Sequence, residues 1–322
     1  MTATVSVIIP TLQRPASLAR CLRALAAQER VPDEIIVVSQ SSDHASRDAA
    51  RAVPLPPSTR LRLPELAAPG VIAAMQHGLA VATGTIIALT DDDAEAAPDW
   101  LAKLSAHLAR DPRLAGAGGV DRQPHERGSV RDVGRVQWFG RAIGRHHLGA
   151  GPVREVDLLK GVNCAFRAPL LRAVGFDARL RGAGAQVHWE LAICLPLRRA
   201  GWRLLYDPSA TVTHHVEPRS GADQFHRGAF DADALTDAVH NETLLVLEHL
   251  SPFARSAFRG WSVLAGTVDA PGMLNALRLR AQGHGWAWDA WRATRRGRAL
   301  ARATFHATAS RGAPVPPVGS LQ

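Results

Sequence analysis

The sequence predicts an α/β protein, Rossmann-like in layout, with a mostly parallel sheet flanked by helices. Three observations predict it. Short β-rich apolar runs recur through the first third of the chain, at Val5–Pro10, Glu34–Val38, Leu61–Leu66 and Thr85–Leu89. Segments of helical spacing separate them: Leu18, Cys21, Leu22 and Leu25 share one face, and Val71, Met75, Leu79 and Ala82 another. The runs are apolar throughout instead of alternating, as in strands buried on both faces.

The turn after the first strand reads Pro10-Thr11-Leu12-Gln13-Arg14-Pro15. It has no Gly-x-Gly-x-x-Gly, which argues against a standard dinucleotide site and against a P-loop. The fourth run ends in Thr90-Asp91-Asp92-Asp93, which sets adjacent carboxylates where a buried strand meets a loop. An acidic turn capping a helix that begins near Pro98 accounts for this run when it is taken alone. Oxygen ligands at the C-terminal end of a strand also suit Mg²⁺ or Mn²⁺ carrying a phosphorylated ligand.

From about Asp121 to Glu155 the periodicity breaks into Gly, Arg and His, as in a long functional loop or an insertion. Regularity resumes with a strand at Val162–Phe166, a short helix at Pro169–Val174 and a helix at Trp189–Ala200. Two strands follow, at Trp202–Tyr206 and Ala210–His215. Beyond Pro218 the composition turns helical and arginine-rich, which divides the chain into an α/β domain, 1–218, and a basic helical extension, 219–322. The Pro- and Gly-rich end, Gly312 to Gln322, is expected to fray.

At 322 residues, 46% hydrophobic and 21% charged, the chain has the composition of a globular protein with a full core. Its formal charge of +9 favours a polyanionic partner. Almost all of that charge is arginine, for the only lysines are Lys103 and Lys160, and in a chain rich in Ala, Arg, Gly and Pro coding bias gives the same balance. The basic residues form no nucleic-acid recognition module, so no nucleic-acid partner is expected. Cys21, Cys164 and Cys194 are isolated in apolar stretches and read as core residues. Val5–Pro10 is too short for a signal peptide and lacks a basic leader. No apolar stretch reaches the roughly 20 residues of a membrane span. The expected location is cytoplasmic, with any attachment to the inner face of the membrane peripheral. Arginines from Arg278 to Arg302 alternate with Trp286, Trp288, Trp291 and Leu300. That mixture fits an anionic membrane surface, or equally a helix that packs its tryptophans on the 1–218 domain and solvates its arginines.

Taken in order, these blocks resemble the family-2 glycosyltransferases of the GT-A fold. The match begins at Val5–Thr11 with Arg14 and passes through Glu34–Val38, Gly70–Gly78 and Gly84 to Asp91-Asp92-Asp93 with Pro98–Leu101. It continues through Gly161–Arg167, Val174–Asp177, Trp189–Leu191, Arg198–Gly201, Asp207-Pro208 and His214, about two thirds of the chain. The resemblance implies a transferase that binds a UDP-, GDP- or dTDP-linked sugar and holds its diphosphate through Mg²⁺ or Mn²⁺. It further implies transfer with inversion to a hydroxyl of a glycan or lipid-linked acceptor, in cell-envelope polysaccharide or glycoconjugate assembly.

By the same resemblance Asp91 and Asp93 are the ends of an Asp-x-Asp motif, the first typically touching the ribose and the last the metal, with Asp92 in either role. His214 stands where relatives place a further metal ligand, although an ordinary polar strand end fits too and His215 is adjacent. Glu190 occupies the acidic position that faces the acceptor, where a base must take the hydroxyl proton. A first-turn glutamate favoured by the helix dipole is its plain alternative. Trp189 fills the first acidic position of that pair, and His188 is the reserve base. Thr11 and Arg14 match positions lining the nucleotide pocket. Ser39 replaces the usual Asp that reads the base or ribose, and Met75 and Gln76 replace an Arg-Asn pair. Lys160, Gly161 and Asn163 fall in the segment beneath the donor sugar and acceptor, whereas Trp100 reads as core. Two alternatives remain beside transfer. A sugar nucleotidyltransferase would need a Gly-rich basic loop after the first strand. A non-catalytic binder would fit Ser39, Met75, Gln76 and Trp189.

Overall fold

A computed structural model describes residues 3–67, 70–182, 184–215, 230–308 and 315–318. The N-terminal part runs β1 (Val5–Pro10), α1 (Pro15–Ala26), β2 (Glu34–Gln40), α2 (His44–Ala52), β3 (Arg60–Arg62), β4 (Glu65–Leu66), α3 (Val71–Val81) and β5 (Ile86–Leu89). Pro15 opens α1, where its missing N–H costs nothing, and Leu18, Cys21, Leu22 and Leu25 are its buried face. The single Leu61–Leu66 run is two short strands. Sequence periodicity does not reveal α2, whose buried side chains are Ser46, Arg47 and Ala50; Asp43 caps it by accepting from the Ser46 N–H.

The chain continues through β6 (Ala94–Ala96), α4 (Trp100–Arg110) and β7 (Leu114–Arg122). The stretch expected to be a loop contains a strand pair, β8 (Arg135–Val136) with β9 (Ala142–Ile143), before β10 (Arg154–Val156). Next come β11 (Cys164–Arg167), α5 (Ala168–Val174), α6 (Trp189–Arg199) and β12 (Arg203–His214). The two strands expected after Trp202 are one, with an irregularity between Asp207 and Thr211.

The sheet order is β10-β12-β7-β11-β5-β1-β2-β3. Strands β5, β1, β2 and β3 run parallel, as do β7 and β12, whereas β11 is antiparallel to both β5 and β7. Apolar side chains fill both faces: Ile8, Ile36, Ile87 and Leu89 pack on one side, and Val7, Ile9, Ile35 and Ala88 on the other. Glycine is required in β7, because a Cβ on Gly119 would lie 1.9 Å from the Ala210 carbonyl oxygen. The three cysteines are free and buried.

The extension consists of α7 (Ala232–His249), α8 (Pro252–Leu264), α9 (Met273–Ala281) and α10 (Ala287–Thr308). The boundary expected at Pro218 lies outside the described residues. Helix α10 packs along α7 and its arginines are not one solvated face: Arg298 is buried and donates to the carbonyls of Ser262 and Ala270. Trp286, just before α10, stacks on Phe230 beside Leu235 and Val239, partners that belong to the extension itself. The expected fraying does not hold for residues 315–318. Trp202 donates its indole N–H to the Pro316 carbonyl, and Val315 and Val318 pack on the core; the rest of that tail lies outside the described residues. Among the described residues no helix is long and apolar enough to cross a membrane.

Candidate active site

Strand β5 ends at Leu89, and β6 then folds back antiparallel on β12 with Ala94 opposite His214. The His215 N–H donates to the Asp93 carbonyl at 2.9 Å. This register brings together residues far apart in the chain: one ligand atom each from Asp91, Asp93 and His214 lies within 4.8 Å of the others. His214 Nε2 is 3.2 Å from Asp93 Oδ1, and Nδ1 is 3.9 Å from Asp121 Oδ2 at the end of β7. All three side chains are buried, yet neither His214 nitrogen nor Asp121 Oδ1 has a hydrogen bond of good geometry. Burial disfavours the His214 imidazolium, but Asp121, Asp93 and Asp91 outweigh it and push its pKa up to about 9. The cluster therefore favours positive charge at its centre. Two carboxylates, an imidazole and unsatisfied buried polar atoms fit a divalent cation of the Mg²⁺ or Mn²⁺ class.

Asp92 points elsewhere. Its Oδ2 accepts from Thr11 Oγ1 at 2.7 Å and its Oδ1 from Arg14 at 3.1 Å, while Arg14 also reaches Asp93 at 3.2 Å. Burial raises the Asp92 carboxyl to about 6, against the opposing pull of Arg14. Asp92 and Thr11 thus tie the β1–α1 turn to the acidic run, and both are buried.

Ser39 is covered as well. Arg47 from α2 donates to Ser39 Oγ at 3.3 Å and to the carbonyls of Gln40 and Ser41, and it is nearly inaccessible itself. The place expected to read the nucleobase is thus backed by a guanidinium. Met75 is core, and Gln76 accepts from the Phe176 N–H. Asn163 also departs from expectation: fully buried, it joins Trp100 to the carbonyls of Val120 and Ala210, a structural hub with no open face. Trp100 is core, as read from the sequence.

Glu190 stands in the first turn of α6 and accepts the Gly161 N–H at 3.1 Å, with Lys160 Nζ at 3.6 Å. Burial opposes its ionisation, but Lys160, its own N–H, that of Gly161 and His188 hold the carboxyl below its ordinary range. Lys160 is held protonated first by Glu190, and also by Asp121 and Asp91. Trp189 is not a surrogate acid. It is buried against Phe176, and a Cβ on Gly161 would meet its ring at 2.2 Å, so Gly161 admits Trp189 to the floor of the site. His188, just before α6, has a left-handed backbone (φ 72°), the kind of strain that surrounding structure must hold.

Helix α7 supplies that hold. Asn241, fully buried, accepts from the Arg181 N–H and donates to the carbonyls of Arg181 and Val187. Arg179 bridges Asp177 and Glu248. Asp121, Arg47 and Asn241 escape sequence reasoning. Only Asp121 carries a signal, an acid ending an apolar run as Asp91 does.

Residues 3–228 match the family model described as glycosyltransferase like family 2. Over 158 residues the chain is 28% identical to a glucosyl-dolichyl phosphate glucuronosyltransferase of Haloferax volcanii, which covers 46% of this chain. It spans 25% and 48% of the lengths of two curated relatives it matches. In fold it is similar to a mannosyltransferase of Pyrobaculum calidifontis in complex with GDP-Man and Mn²⁺, with a TM-score of 0.53 and 21% identity over 97% of this chain and 89% of that one. It is similar also to S. aureus TarS 1–349 in complex with UDP-GlcNAc, with a TM-score of 0.55 and 16% identity over 96% and 93%.

Proposed function

The chain belongs to glycosyltransferase like family 2, and on that premise we propose that it is a metal-dependent, inverting transferase moving a sugar from a nucleoside diphosphate to an acceptor hydroxyl. The observation that carries this reading is the gathering of Asp91, Asp93 and His214, one ligand atom of each within 4.8 Å of the others, together with Glu190 at the start of α6 beside Lys160 Nζ at 3.6 Å.

Asp91, Asp93 and His214 are the residues that would hold Mg²⁺ or Mn²⁺. Such an ion, when bound, neutralises charge on the departing nucleoside diphosphate. Arg14 and Asp92 tie the acidic run to the β1–α1 turn. Glu190, ionised, takes the proton of the acceptor hydroxyl as that oxygen attacks the anomeric carbon, and Lys160 keeps it ionised and aimed. Attack from the face opposite the leaving group inverts the anomeric centre. The Haloferax relative is named a glucosyl-dolichyl phosphate glucuronosyltransferase, which supports a lipid-linked acceptor, in the assembly of envelope polysaccharide or a related glycoconjugate. The test is the anomeric configuration of the product by NMR after turnover of each nucleotide sugar. Inversion is expected, and retention would contradict a single displacement with Glu190 as base.

A further inference from the structure

The large apolar side chains exposed to solvent are not scattered. Among the described residues, eight of the nine lie on α8, on α9, in the turn between them, or stacked on the start of α8. Val263 and Leu264 end α8, Val268 sits at the turn, and Met273, Leu274 and Leu277 follow on α9. At the other end of α8, Phe253 is 76% exposed and stacks on Trp138 of the β8–β9 connection at 5.9 Å. Single exposed apolar residues are ordinary, whereas a contiguous set marks an interaction surface.

This surface is built on a stiff support. The Gly272 N–H donates to the Ala265 carbonyl, Asn275 donates to the carbonyls of Ala265 and Gly266, and the buried Arg298 of α10 holds both Ser262 and Ala270. Helix α8 turns Ala254, Phe258 and Ser262 inward and leaves Phe253, Val263 and Leu264 outside, so the exposed residues are the helix's own outer stripe.

We propose that the α8–α9 hairpin, with Trp138, is a membrane-docking surface that lies flat in the interface of an anionic phospholipid bilayer. Charge selects this occupant. Exposed Arg259, Arg278 and Arg280 flank the apolar stripe, no ion pair holds any of them among the described residues, and Asp269 is the only acid between Pro252 and Ala281. Arginines of this kind lay their stems on apolar surface and reach phosphate headgroups. A second copy of the chain is a poorer occupant, because a two-fold contact would set the same arginines against each other. The arginine-tryptophan mixture of Arg278 to Arg302 fits a membrane surface or a packed helix equally by sequence; the structure packs α10 along α7 and leaves the exposed apolar side chains on α8 and α9. The segment that enters β8, ahead of Trp138, is tied to the stretch before Lys160, since the Gly134 carbonyl accepts from the N–H groups of Asp157 and Leu158. The purpose of docking rests on the reading of a lipid-linked acceptor, but its evidence does not.

The test is co-sedimentation of the full chain with vesicles of phosphatidylcholine alone and of phosphatidylcholine mixed with phosphatidylglycerol. The chain is expected to bind the anionic vesicles and to release as salt rises. Leu264→Glu with Leu274→Glu should weaken binding at least about tenfold. Replacing Arg259, Arg278 and Arg280 by alanine should cost about fivefold per arginine and remove the preference for phosphatidylglycerol. Both variants alter exposed side chains, so circular dichroism and hydrolysis of the nucleotide sugar should match the unaltered chain. Absence of vesicle binding by the unaltered chain overturns the proposal. So does equal binding by the glutamate variant, or a dimer that this variant dissociates while vesicles bind neither form. Vesicle binding without any nucleotide-sugar turnover supports the surface and counts against the transferase reading alone.

Discussion

At the end of the sheet, Asp91 and Asp93 after β5, Asp121 of β7 and His214 of β12 converge, Asp91 half-buried and the others buried, whereas in the helical extension Asn241, Glu248 and Arg298 act singly, each tying one segment to another. The first region concentrates unsatisfied polar atoms; the second satisfies backbone groups. A cluster that leaves His214 and Asp121 without good hydrogen bonds costs stability unless something binds there, while a fully bonded Asn241 contributes stability and rigidity. Chemistry and positioning are therefore carried by different parts of the chain, and α6 is where they meet: Glu190 faces the site, and the loop ahead of it is held by α7.

The sharpest way to break this division is Glu190→Gln. The amide keeps shape and some hydrogen bonding but cannot accept the proton, so transfer should fall by roughly 10² to 10⁴ while donor binding stays near normal. Parallel kinetics and nucleotide binding check this; loss of donor binding equal to the loss of transfer would remove Glu190 from the base's role. The role of α7 is sharpened by Asn241→Ala, which leaves Arg181 and Val187 unheld behind the strained His188. A displacement of about 1 Å at Glu190 is worth up to about 10² in rate, so kcat should drop roughly ten- to a hundredfold with donor affinity little changed. Asn241→Asp, which keeps the acceptor for the Arg181 N–H, should recover part of the rate. Trp202→Phe, which loses one hydrogen bond to Pro316 and none to the 181–187 loop, serves as the control for stability loss alone and should leave kcat unchanged. If Trp202→Phe slows transfer as much as Asn241→Ala, α7 has no special positioning role.

The same contrast governs what the sequence reveals. Strands β1, β2 and β5 are legible because they are runs of Val and Ile. Strand β7 is not, since its Leu-Ala-Gly-Ala-Gly-Gly start is shaped by the close approach of Ala210 and Asn163, which only the folded sheet supplies. Helix α2 is hidden because it buries small and polar residues around Arg47. In the site, Asp91, Asp93, His214 and Glu190 are legible through the family resemblance, and the structure brings the first three together. Ser39 and Asn163 sit in equally readable positions, but burial closes both. Asp121 and Asn241 acquire their roles only through the pairing of β7 with β12 and the packing of α7 on α6, contacts that local pattern does not encode.

The measurement that bears most directly on the account is the thermal shift of the purified chain with UDP, GDP, dTDP and CDP, each with and without Mn²⁺ or Mg²⁺, compared with Asp93→Asn. A ligand that binds the folded chain at about a hundred times its Kd adds roughly 2.7 kcal/mol of stability. The account predicts a stabilisation by one nucleotide that requires the metal and is absent in Asp93→Asn. A nucleotide shift of equal size without metal, or one retained in full by Asp93→Asn, would contradict the assignment of Asp91, Asp93 and His214 as the cation site.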